Sequence, residues 1–322
     1  MRALVTGGTG FIGSEVVRQL LAAGHNVSLF FRRKDAPALF RGRVEAAQGD
    51  LEHPQSLINA MDGADVLYHI GEIKNTSRAA AAKNVTLIDE VLKNVTRKKL
   101  KRIVFVSSIT VAGIPAAVPA TEDTPAAITL HDHYTDYKRT AEKMLGGTGG
   151  HIEYAIIRPG FVYGPGSRHM AGMIGIIRKL GPIGIPFPGN ANSAAPLIYV
   201  KDVAAAILQA GTEPLASGQT FNLVDGSRHS WRGLLESIAG HLGTKLRIVT
   251  LPRLLLHLSA LPIDLVSGYF GARLDAISYA GYFSSELYFD STKARNLLNW
   301  RPRCSLEEGI REMTEFYSRK EE

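Results

Sequence analysis

A glycine-rich run near the amino end constrains the fold of this chain more than any other feature. The run spans Thr6 to Gly13 (TGGTGFIG), directly after a short apolar stretch and directly before a pattern typical of a helix. This order predicts a strand, a tight turn at Gly7, a close backbone approach to a phosphate at Gly10, and close helix–strand packing at Gly13. Unpaired N–H groups at a helix start favour negative charge, so the turn indicates a dinucleotide site. An ordinary glycine-rich turn is the alternative.

Strand-like and helix-like runs alternate through the first half of the chain. Six short apolar or β-branched runs predict strands: Ala3 to Thr6, Asn26 to Phe31, Val44 to Gln48, Val66 to His69, Arg102 to Ser107 and Tyr154 to Arg158. Four runs with helical apolar spacing predict helices: Ile12 to Ala23, Gln55 to Met61, Ala79 to Lys98 and His133 to Leu145. Such alternation builds βαβ units, and we expect an α/β protein with a Rossmann-type, doubly wound parallel sheet.

The second half of the chain has a different texture. Glycine and proline recur so often from Pro159 to Pro196 that we expect loops there rather than long regular elements. A strand at Leu197 to Val200 and a helix at Val203 to Gly211 then resume the α/β pattern. We expect a nucleotide-binding domain over residues 1–164, to which residues 196–225 return a strand and a helix. Residues 165–195 and 226–322 are expected to form a smaller, loop-rich substrate-binding region.

Composition narrows the classes of ligand. The chain has 322 residues, 45% of them hydrophobic, and its 37 Lys and Arg against 30 Asp and Glu give a net charge of +7, which suits an anionic ligand. We expect no nucleic-acid partner, because the basic cluster from Arg97 to Arg102 has no aromatic residues on which bases would stack. The single cysteine, Cys304, excludes an internal disulfide and any multi-cysteine metal site, and no metal is expected.

The amino end and the stretch 251–270 indicate where in the cell the protein is expected. No apolar signal segment precedes the glycine run, which predicts a cytoplasmic protein. The stretch 251–270 is the most apolar part of the chain, but charged residues and two prolines interrupt it, so a membrane span is not expected. We expect an amphipathic helix, broken at Pro262, that packs on the core, with peripheral membrane contact as the alternative. A homodimer is the default oligomer.

Two arginines follow the second predicted strand. NAD sites of this kind usually place a carboxylate there to hold the ribose 2′-hydroxyl, whereas this chain has Arg32 and Arg33. Two guanidinium groups favour a 2′-phosphate, so we expect NADP(H) rather than NAD(H). The alternative is that one or both arginines only solvate a loop. Asp50, after the third strand, is a candidate for the adenine amino group or for a helix cap.

Tyr134 and Lys138 form the candidate catalytic pair. Their i, i+4 spacing places both side chains on one face of the predicted helix. The pKa of a tyrosine is ordinarily about 10, and an adjacent ammonium stabilises the phenolate, so that the hydroxyl can exchange a proton near neutrality. Such a pair also occurs on ordinary exposed helices, and the upstream glycine run is what favours the catalytic interpretation.

Ser107 and Ser108 close the strand that precedes this helix. They lie at the carboxyl edge of the predicted sheet, where open α/β sheets bind ligands. Ser108 is the better candidate for a hydrogen bond to a reacting oxygen. The alternative is that each serine satisfies backbone groups at the strand end.

The chain resembles the extended short-chain dehydrogenases/reductases of the NAD-dependent epimerase/dehydratase superfamily. The matching pieces run nearly end to end: Thr6 to Gly13, Gly49 to Leu51, Asn84, Val106 to Ser108, Tyr134 to Glu142 (YTDYKRTAE), Arg158 to Gly166 (RPGFVYGPG), Tyr199 to Val203, Phe221 to Leu223, and Lys293-Ala294. Within the superfamily, the texture is closest to the dihydroflavonol-reductase and 3β-hydroxysteroid-dehydrogenase-like branches.

The resemblance implies an NAD(P)-dependent enzyme and a role for each candidate. Tyr134 would donate or accept the proton, Lys138 would activate it and bind the nicotinamide ribose, and Ser108 would be the third catalytic group. Asn84 would hold a water relay. The expected cofactor-binding residues are Gly7, Gly10, Phe11, Ile12, Gly13, Arg32, Arg33, Asp50, Leu51, Lys138 and Pro159.

Three positions depart from the family pattern. Where His-x-Ala-Ala is usual after the fourth strand, this chain has His69 to Glu72 (HIGE), which brings an acidic residue near the cofactor. Where sugar-nucleotide epimerases usually carry a tyrosine after the catalytic serine, it has Val111 to Gly113 (VAG), which weakens a sugar-nucleotide interpretation. Tyr137 replaces a small residue before Lys138 and is a candidate pocket residue.

We therefore expect an oxidoreductase that uses NADP(H) to interconvert a ketone and a secondary alcohol on a fairly apolar molecule, steroid-, flavonoid- or isoprenoid-like. The alternatives are a nucleotide-sugar epimerase or dehydratase that retains its cofactor, and an NADP(H)-binding sensor without chemistry. Position alone suggests as pocket residues Phe161, Tyr163, Arg168, Pro196 and Tyr282.

Overall fold

The computed structural model describes residues 1–33, 36–40, 42–74, 77–251 and 281–319. The strands are β1 (Arg2–Thr6), β2 (Asn26–Phe31), β3 (Glu45–Gln48), β4 (Val66–His69), β5 (Arg102–Val106), β6 (Ile114–Pro115), β7 (Ala126–Ile128), β8 (Glu153–Pro159), β9 (Phe161–Tyr163), β10 (Ile185–Pro188), β11 (Leu197–Tyr199), β12 (Gln219–Leu223) and β13 (Ile248–Leu251). The helices are α1 (Phe11–Ala22), α2 (Pro54–Ala60), α3 (Arg78–Lys98), α4 (His133–Gly146), α5 (Arg168–Leu180), α6 (Val200–Thr212), α7 (Trp231–His241), α8 (Thr292–Leu297) and α9 (Leu306–Ser318).

Seven strands form one parallel sheet in the order β12-β8-β5-β4-β1-β2-β3. The chain runs outward from β1 to β3 and then returns to place β4 on the other side of β1, so the strand order reverses between β1 and β4. In sheets of this kind, ligands bind at the carboxyl ends of the strands beside such a switch point. The Rossmann-type, doubly wound sheet expected from the sequence is confirmed.

Helices cover both faces of the sheet, which is why its central strands are buried and mainly apolar. Leu67, Ile103 and Phe105 face a core shared with α2, α3 and α4. Tyr68 and Val104 face the opposite core, which is shared with α1 and α6. That second core also buries Ala294, Leu298 and Trp300, so α8 and the turn after it pack against the nucleotide side of the molecule.

The expectation of loops over the glycine- and proline-rich stretch was wrong for residues 168–180, which form α5. The Ser167 hydroxyl caps the helix by accepting from the Met170 N–H. Met170, Ile174 and Ile177 recur at helical spacing and are buried. Glycine inside a helix costs about 1 kcal/mol, and burying one large apolar side chain gains about 1.5–3 kcal/mol, so three such residues outweigh Gly172 and Gly175.

A third core lies beneath the carboxyl half of the chain and joins α5, α7, α9 and the parallel pair β10 and β13. The predicted amphipathic segment over 251–270 lies outside the described residues after Leu251, where β13 ends. Within the described ranges, no helix combines the length and the apolarity needed to cross a bilayer.

Candidate active site

The glycine turn between β1 and α1 is shaped by close backbone contacts. Gly7 has a φ of 70°, and a Cβ there would lie 2.6 Å from the Gly71 Cα. A Cβ on Gly13 would lie 2.2 Å from the Gly7 carbonyl oxygen, so only glycine permits this approach of helix to strand. Gly10 precedes α1 and offers no capping side chain, which leaves the amides of Phe11 and Ile12 to a ligand. The turn therefore fits a dinucleotide phosphate.

The end of β2 brings basic and acidic groups together. Arg32 is 74% exposed, and its Nη1 lies 3.8 Å from the Asp50 Oδ2. Asp50 also accepts a hydrogen bond from the Glu52 N–H at 3.1 Å, so its carboxylate already shapes the turn before α2. Arg33 is exposed at the same end of the sheet. A cofactor phosphate at this edge would meet two guanidinium groups and one partly engaged carboxylate.

Thr6 ties the first loop to the one after β4. Its hydroxyl oxygen accepts from the Ile70 and Gly71 N–H groups, both at 3.1 Å, and lies 3.0 Å from the His69 Nδ1. Because the hydroxyl hydrogen is then directed to Nδ1, the imidazole carries its own hydrogen on Nε2, which finds no partner within the described ranges. Burial, assisted by the Lys138 charge, lowers the pKa of His69 to about 3, so the ring is neutral.

Asn84 holds the other end of that loop. Its side-chain oxygen accepts from the Ile73 N–H at 2.9 Å, and its amide donates to the carbonyls of Ile73 and Ala80 at 3.0 and 3.1 Å. The side chain is 3% exposed, and both of its amide hydrogens are used. Asn84 thus fixes the backbone that follows β4, and its role in a water relay stays a prediction.

Tyr134 and Lys138 lie in the first two turns of α4. Asp132 caps this helix by accepting from the Tyr134 and Thr135 N–H groups. Lys138 crosses to β5, where its Nζ donates to the Val106 carbonyl at 2.8 Å, and its side chain is only 4% exposed. The same Nζ lies 5.5 Å from the centre of the Tyr134 ring. The structure therefore brings the predicted pair together at the carboxyl end of β5.

Neighbouring groups shift the pKa of the Tyr134 hydroxyl in opposite directions. Burial raises the pKa of Tyr134 to about 12, against the lowering effect of Lys138. Glu72 and Tyr137 raise that pKa further, and a hydrogen bond from Ser108 lowers it. A phenol with these neighbours is protonated near neutral pH and is suited to donate a proton.

Adjacent serines at the end of β5 have different partners. Ser107 is 3% exposed and donates to the Glu142 Oε1 at 2.5 Å. Arg158 donates to the same carboxylate from Nε at 2.9 Å and from Nη2 at 2.5 Å. Ser108 instead faces Tyr134 and accepts from the Thr110 hydroxyl at 2.9 Å.

Two threonines that the sequence analysis did not single out orient Ser108. The Thr135 hydroxyl donates to Thr110 at 3.2 Å, and Thr110 donates to Ser108, which leaves the Ser108 hydrogen free to point at Tyr134. The sequence analysis also did not identify Glu142 as a residue near the site. Its position four residues after Lys138 on α4 favours an ion pair between these two side chains. Its actual partner is Arg158.

The remaining candidates fall into two groups. Phe11, Ile12 and Leu51 are half-buried at the switch-point edge, and Pro159 is buried at the end of β8. Of the pocket candidates, Tyr163, Pro196 and Tyr282 are buried in the core, while Phe161 is half-buried and Arg168 is exposed. Tyr137 is 3% exposed and packs on Phe105, so it does not line an open pocket.

A separate surface depression lies between α6 and α9, away from these residues. Lys201 and Glu312 form an ion pair there at 2.7 Å, and none of the lining residues is a predicted site residue. Across the described ranges, no three His, Cys, Asp or Glu side chains are arranged to hold a metal ion.

Comparison with known proteins places the chain in a family. Residues 3–223 match the model of the NAD dependent epimerase/dehydratase family. A 2-alkyl-3-oxoalkanoate reductase of Shewanella oneidensis is 24% identical over 97% of this chain and 85% of its own length. A 3-beta-hydroxysteroid dehydrogenase of Mycolicibacterium neoaurum is 24% identical, with 98% and 91% covered. A UDP-glucose 4-epimerase of Mycolicibacterium smegmatis is 28% identical, with 99% of each chain covered.

Solved structures share the fold. The crystal structure of gox2253 superposes with a TM-score of 0.79 at 23% identity, covering 99% of this chain and 98% of its own. The UDP-glucose 4-epimerase from Bifidobacterium longum, in complex with NAD+ and UDP, superposes with a TM-score of 0.76 at 17% identity over 100% and 99%. The chain belongs to the NAD dependent epimerase/dehydratase family, and is an enzyme of the extended short-chain dehydrogenase/reductase type that uses a nicotinamide cofactor.

Proposed function

We propose that the protein is an NADP(H)-dependent oxidoreductase that transfers a hydride between the cofactor and a ketone or secondary alcohol on a fairly apolar molecule, steroid-, flavonoid- or isoprenoid-like. The observation that carries the proposal is the convergence of Tyr134, Lys138 and Ser108 at the carboxyl end of β5, beside the glycine turn. An acid, a fixed cation and a hydroxyl donor at one point are what carbonyl reduction requires.

Each of the three side chains has a defined task. When bound, the reduced nicotinamide supplies the hydride that adds to the carbonyl carbon. Tyr134 gives its phenolic proton to the oxygen as the C=O bond becomes C–O. Ser108, oriented by Thr110, donates a hydrogen bond to that oxygen before and during the transfer. Lys138 stabilises the tyrosinate that remains and has an N–H left for a ribose hydroxyl.

Arg32 and Arg33 support NADP(H) as the cofactor. Both are exposed at the end of β2, and the nearby carboxylate of Asp50 is already engaged by Arg32 and by the Glu52 N–H. A 2′-phosphate at this edge would pair with guanidinium groups, with little opposition from free carboxylate charge.

Apolar surroundings support a ketone on a hydrophobic molecule. Phe161 packs edge-on against Trp231, with ring centres 5.3 Å apart, and Trp231 packs on Phe283 at 5.1 Å. These aromatic residues belong to the third core, on the carboxyl side of β8. We propose that residues 165–195 and 226–322 supply the substrate region, and residues 1–164 with 196–225 the nucleotide region. The similarity to a 3-beta-hydroxysteroid dehydrogenase favours the same substrate class.

A nucleotide-sugar epimerase is the second candidate, favoured by the 28% identity to a UDP-glucose 4-epimerase. Against it, Val111 to Gly113 carry no tyrosine beyond Ser108. A cofactor-binding sensor without chemistry is a third candidate, but the chain retains the complete Tyr134, Lys138 and Ser108 set.

Incubation of the purified protein with NADPH or NADH tests the proposal directly. Absorbance of the reduced nicotinamide is followed while a panel of apolar ketones and then nucleotide sugars is added. We expect ketone-dependent loss of NADPH that exceeds the loss of NADH. Conversion of a nucleotide sugar with no net cofactor consumption would replace this proposal with the epimerase, and cofactor binding without any turnover would favour the sensor.

A further inference from the structure

A carboxylate lies beside the active-site lysine. The Glu72 Oε2 is 3.3 Å from the Lys138 Nζ. The lysine side chain is 4% exposed and the glutamate side chain 27% exposed, so the pair lies at the boundary between the core and solvent. Glu72 is therefore partly open to solvent while it also contacts the buried ammonium.

Lys138 is enclosed by aromatic rings as well as by this carboxylate. Its Nζ lies 4.9 Å from the centre of the Phe105 ring and 5.0 Å from that of Tyr137. Ring faces attract a cation only modestly, and a buried ammonium without a counter-charge is costly. Glu72 is the acidic side chain that forms an ion pair with Lys138.

Backbone contacts hold Glu72 in place from both sides. Gly71, just before it, donates its N–H to the Thr6 hydroxyl. Ile73, just after it, is held by two hydrogen bonds to the Asn84 carboxamide. A short segment anchored at both neighbours presents its side chain in one place, so the contact with Lys138 is built into the fold rather than left to a flexible loop.

We propose that Glu72 is a positioning residue that offsets the Lys138 charge, keeps Tyr134 as the neutral, proton-donating phenol and so raises the pH at which alcohol oxidation, which needs the tyrosinate, begins. The inference rests on the proposed function, because it concerns the same tyrosine. Reduction consumes the phenol and yields the tyrosinate, whereas oxidation begins from the tyrosinate. A fixed negative charge next to the ammonium therefore confines the oxidation-competent tyrosinate to higher pH and leaves the equilibrium between ketone and alcohol unchanged.

The side chains that shift the charge balance at Tyr134 come from several elements of the fold. Lys138 and Tyr137 come from α4, His69 from the end of β4, Glu72 from the loop after β4, and Ser108 from the end of β5. His69 is neutral, since its pKa is lowered to about 3, and burial keeps Tyr137 protonated. Glu72 is therefore the negative charge that opposes Lys138, in agreement with its raising effect on the pKa of Tyr134.

The test compares Glu72→Gln with wild type, because glutamine keeps the shape and the acceptor oxygen but removes the charge. Glu90→Gln is the matched control, since Glu90 forms an ion pair with Lys93 on α3, outside the site. The phenolate of Tyr134 is followed by ultraviolet difference titration, with each protein referenced to its own Tyr134→Phe form and with folding monitored by circular dichroism. This readout needs no substrate.

We expect the Tyr134 phenolate to appear about one pH unit lower in Glu72→Gln than in wild type, as is usual for loss of a neighbouring charge. The pH profile of alcohol oxidation should shift the same way, with its alkaline rise about one pH unit lower than in wild type. Glu90→Gln should match wild type in both.

An unchanged or raised Tyr134 titration in Glu72→Gln would overturn the inference even if ketone reduction is observed. If no ketone is reduced by wild type, the proposed function fails, while the titration still decides whether Glu72 opposes Lys138. The two failures are thus distinguishable.

Discussion

Two ion pairs flank the end of β5, and they differ in how completely their polar atoms are used. The sealed pair, Arg158 and Glu142, has side chains 15% and 8% exposed, and Ser107 adds a third donor to the carboxylate. The open pair, Lys138 and Glu72, is buried at the lysine only. The carboxylate of the sealed pair is already engaged by Arg158 and Ser107 and can bind little else. In the open pair, one N–H of Lys138 and the partly exposed carboxylate of Glu72 remain available to a ligand.

The two ion pairs give the adjacent serines different roles. Successive residues of an extended segment point to opposite sides, so Ser107 and Ser108 face different pairs. Ser107 joins the sealed pair, and Ser108 joins Tyr134 beside the open pair. Changes on the sealed side should therefore act on stability, and changes on the open side on reaction rate or selectivity.

The largest effect is expected for Tyr134→Phe, which removes the proton donor of the open side. Loss of a general acid lowers kcat by about a thousandfold, while NADPH affinity and the unfolding midpoint should stay near wild type. The control is Tyr137→Phe, on the same helix, because the Tyr137 hydroxyl is buried without a partner among the described residues and should be dispensable. Steady-state kinetics on a ketone that the wild type reduces measure both; equal losses in the two variants would contradict a specific role for Tyr134.

Glu142→Ala should break the sealed pair and leave a buried guanidinium and the Ser107 hydroxyl unpaired. Removing one partner of a buried pair costs about 3–5 kcal/mol of unfolding free energy. Glu72→Ala also removes the counter-charge of the buried Lys138 ammonium, but water can reach the partly exposed position of the glutamate, so the loss should be smaller than for Glu142→Ala. Urea unfolding measures both, and similar losses would erase the distinction between the two pairs.

The pH dependence of stability reports how completely His69, close to Lys138, is shielded from water. Its pKa in the folded protein, about 3, lies below the ordinary 6.5, so above pH 6.5 both folded and unfolded states hold it neutral. As pH falls below 6.5, the unfolded chain binds a proton that the folded chain does not, and stability declines by about 1.4 kcal/mol per pH unit, or ~2 kcal/mol at pH 5. His69→Gln should remove this part of the slope between pH 6.5 and 5. An identical slope in the variant would show that His69 titrates normally.

The smallest effect is expected for Arg32→Ala, at the exposed edge beyond both pairs. Loss of one charge-assisted contact with a 2′-phosphate should reduce the preference for NADPH over NADH by about tenfold, with no change in unfolding. Arg319→Ala is a control of similar exposure, since Arg319 pairs with Glu315 at the end of α9. Competition binding of the two cofactors measures the ratio, and an unchanged ratio would assign Arg32 to the solvated loop.

Local signals explain how much of the fold was predictable. The ends of the six predicted strands of the first half, and of the helices between them, agree with the structure to within two residues. They were predictable because the glycine turn and the apolar periodicity depend only on residues close together in the sequence. The helix α5 was missed because its glycines are tolerated through burial of Met170, Ile174 and Ile177, which depends on the third core and not on local propensity.

The site was predictable where its residues share one element. Tyr134 and Lys138 lie on α4, so their meeting follows from helical spacing. The same spacing would predict an ion pair between Lys138 and Glu142. Instead, Glu142 pairs with Arg158 from β8, and Lys138 pairs with Glu72 from the loop after β4. Those choices depend on strand order and side-chain direction across the sheet, which single-sequence patterns do not contain.

Transfer of an isotopic label from the cofactor shows whether this protein reduces a ketone by hydride transfer. NADPH deuterated at both C4 positions is incubated with the protein and an apolar ketone, and the released alcohol is analysed by mass spectrometry. We expect one deuterium on the former carbonyl carbon for each NADPH oxidised, and none with Tyr134→Phe over the same time. Deuterium that never leaves the cofactor, or alcohol formed at the same rate by Tyr134→Phe, would contradict this expectation.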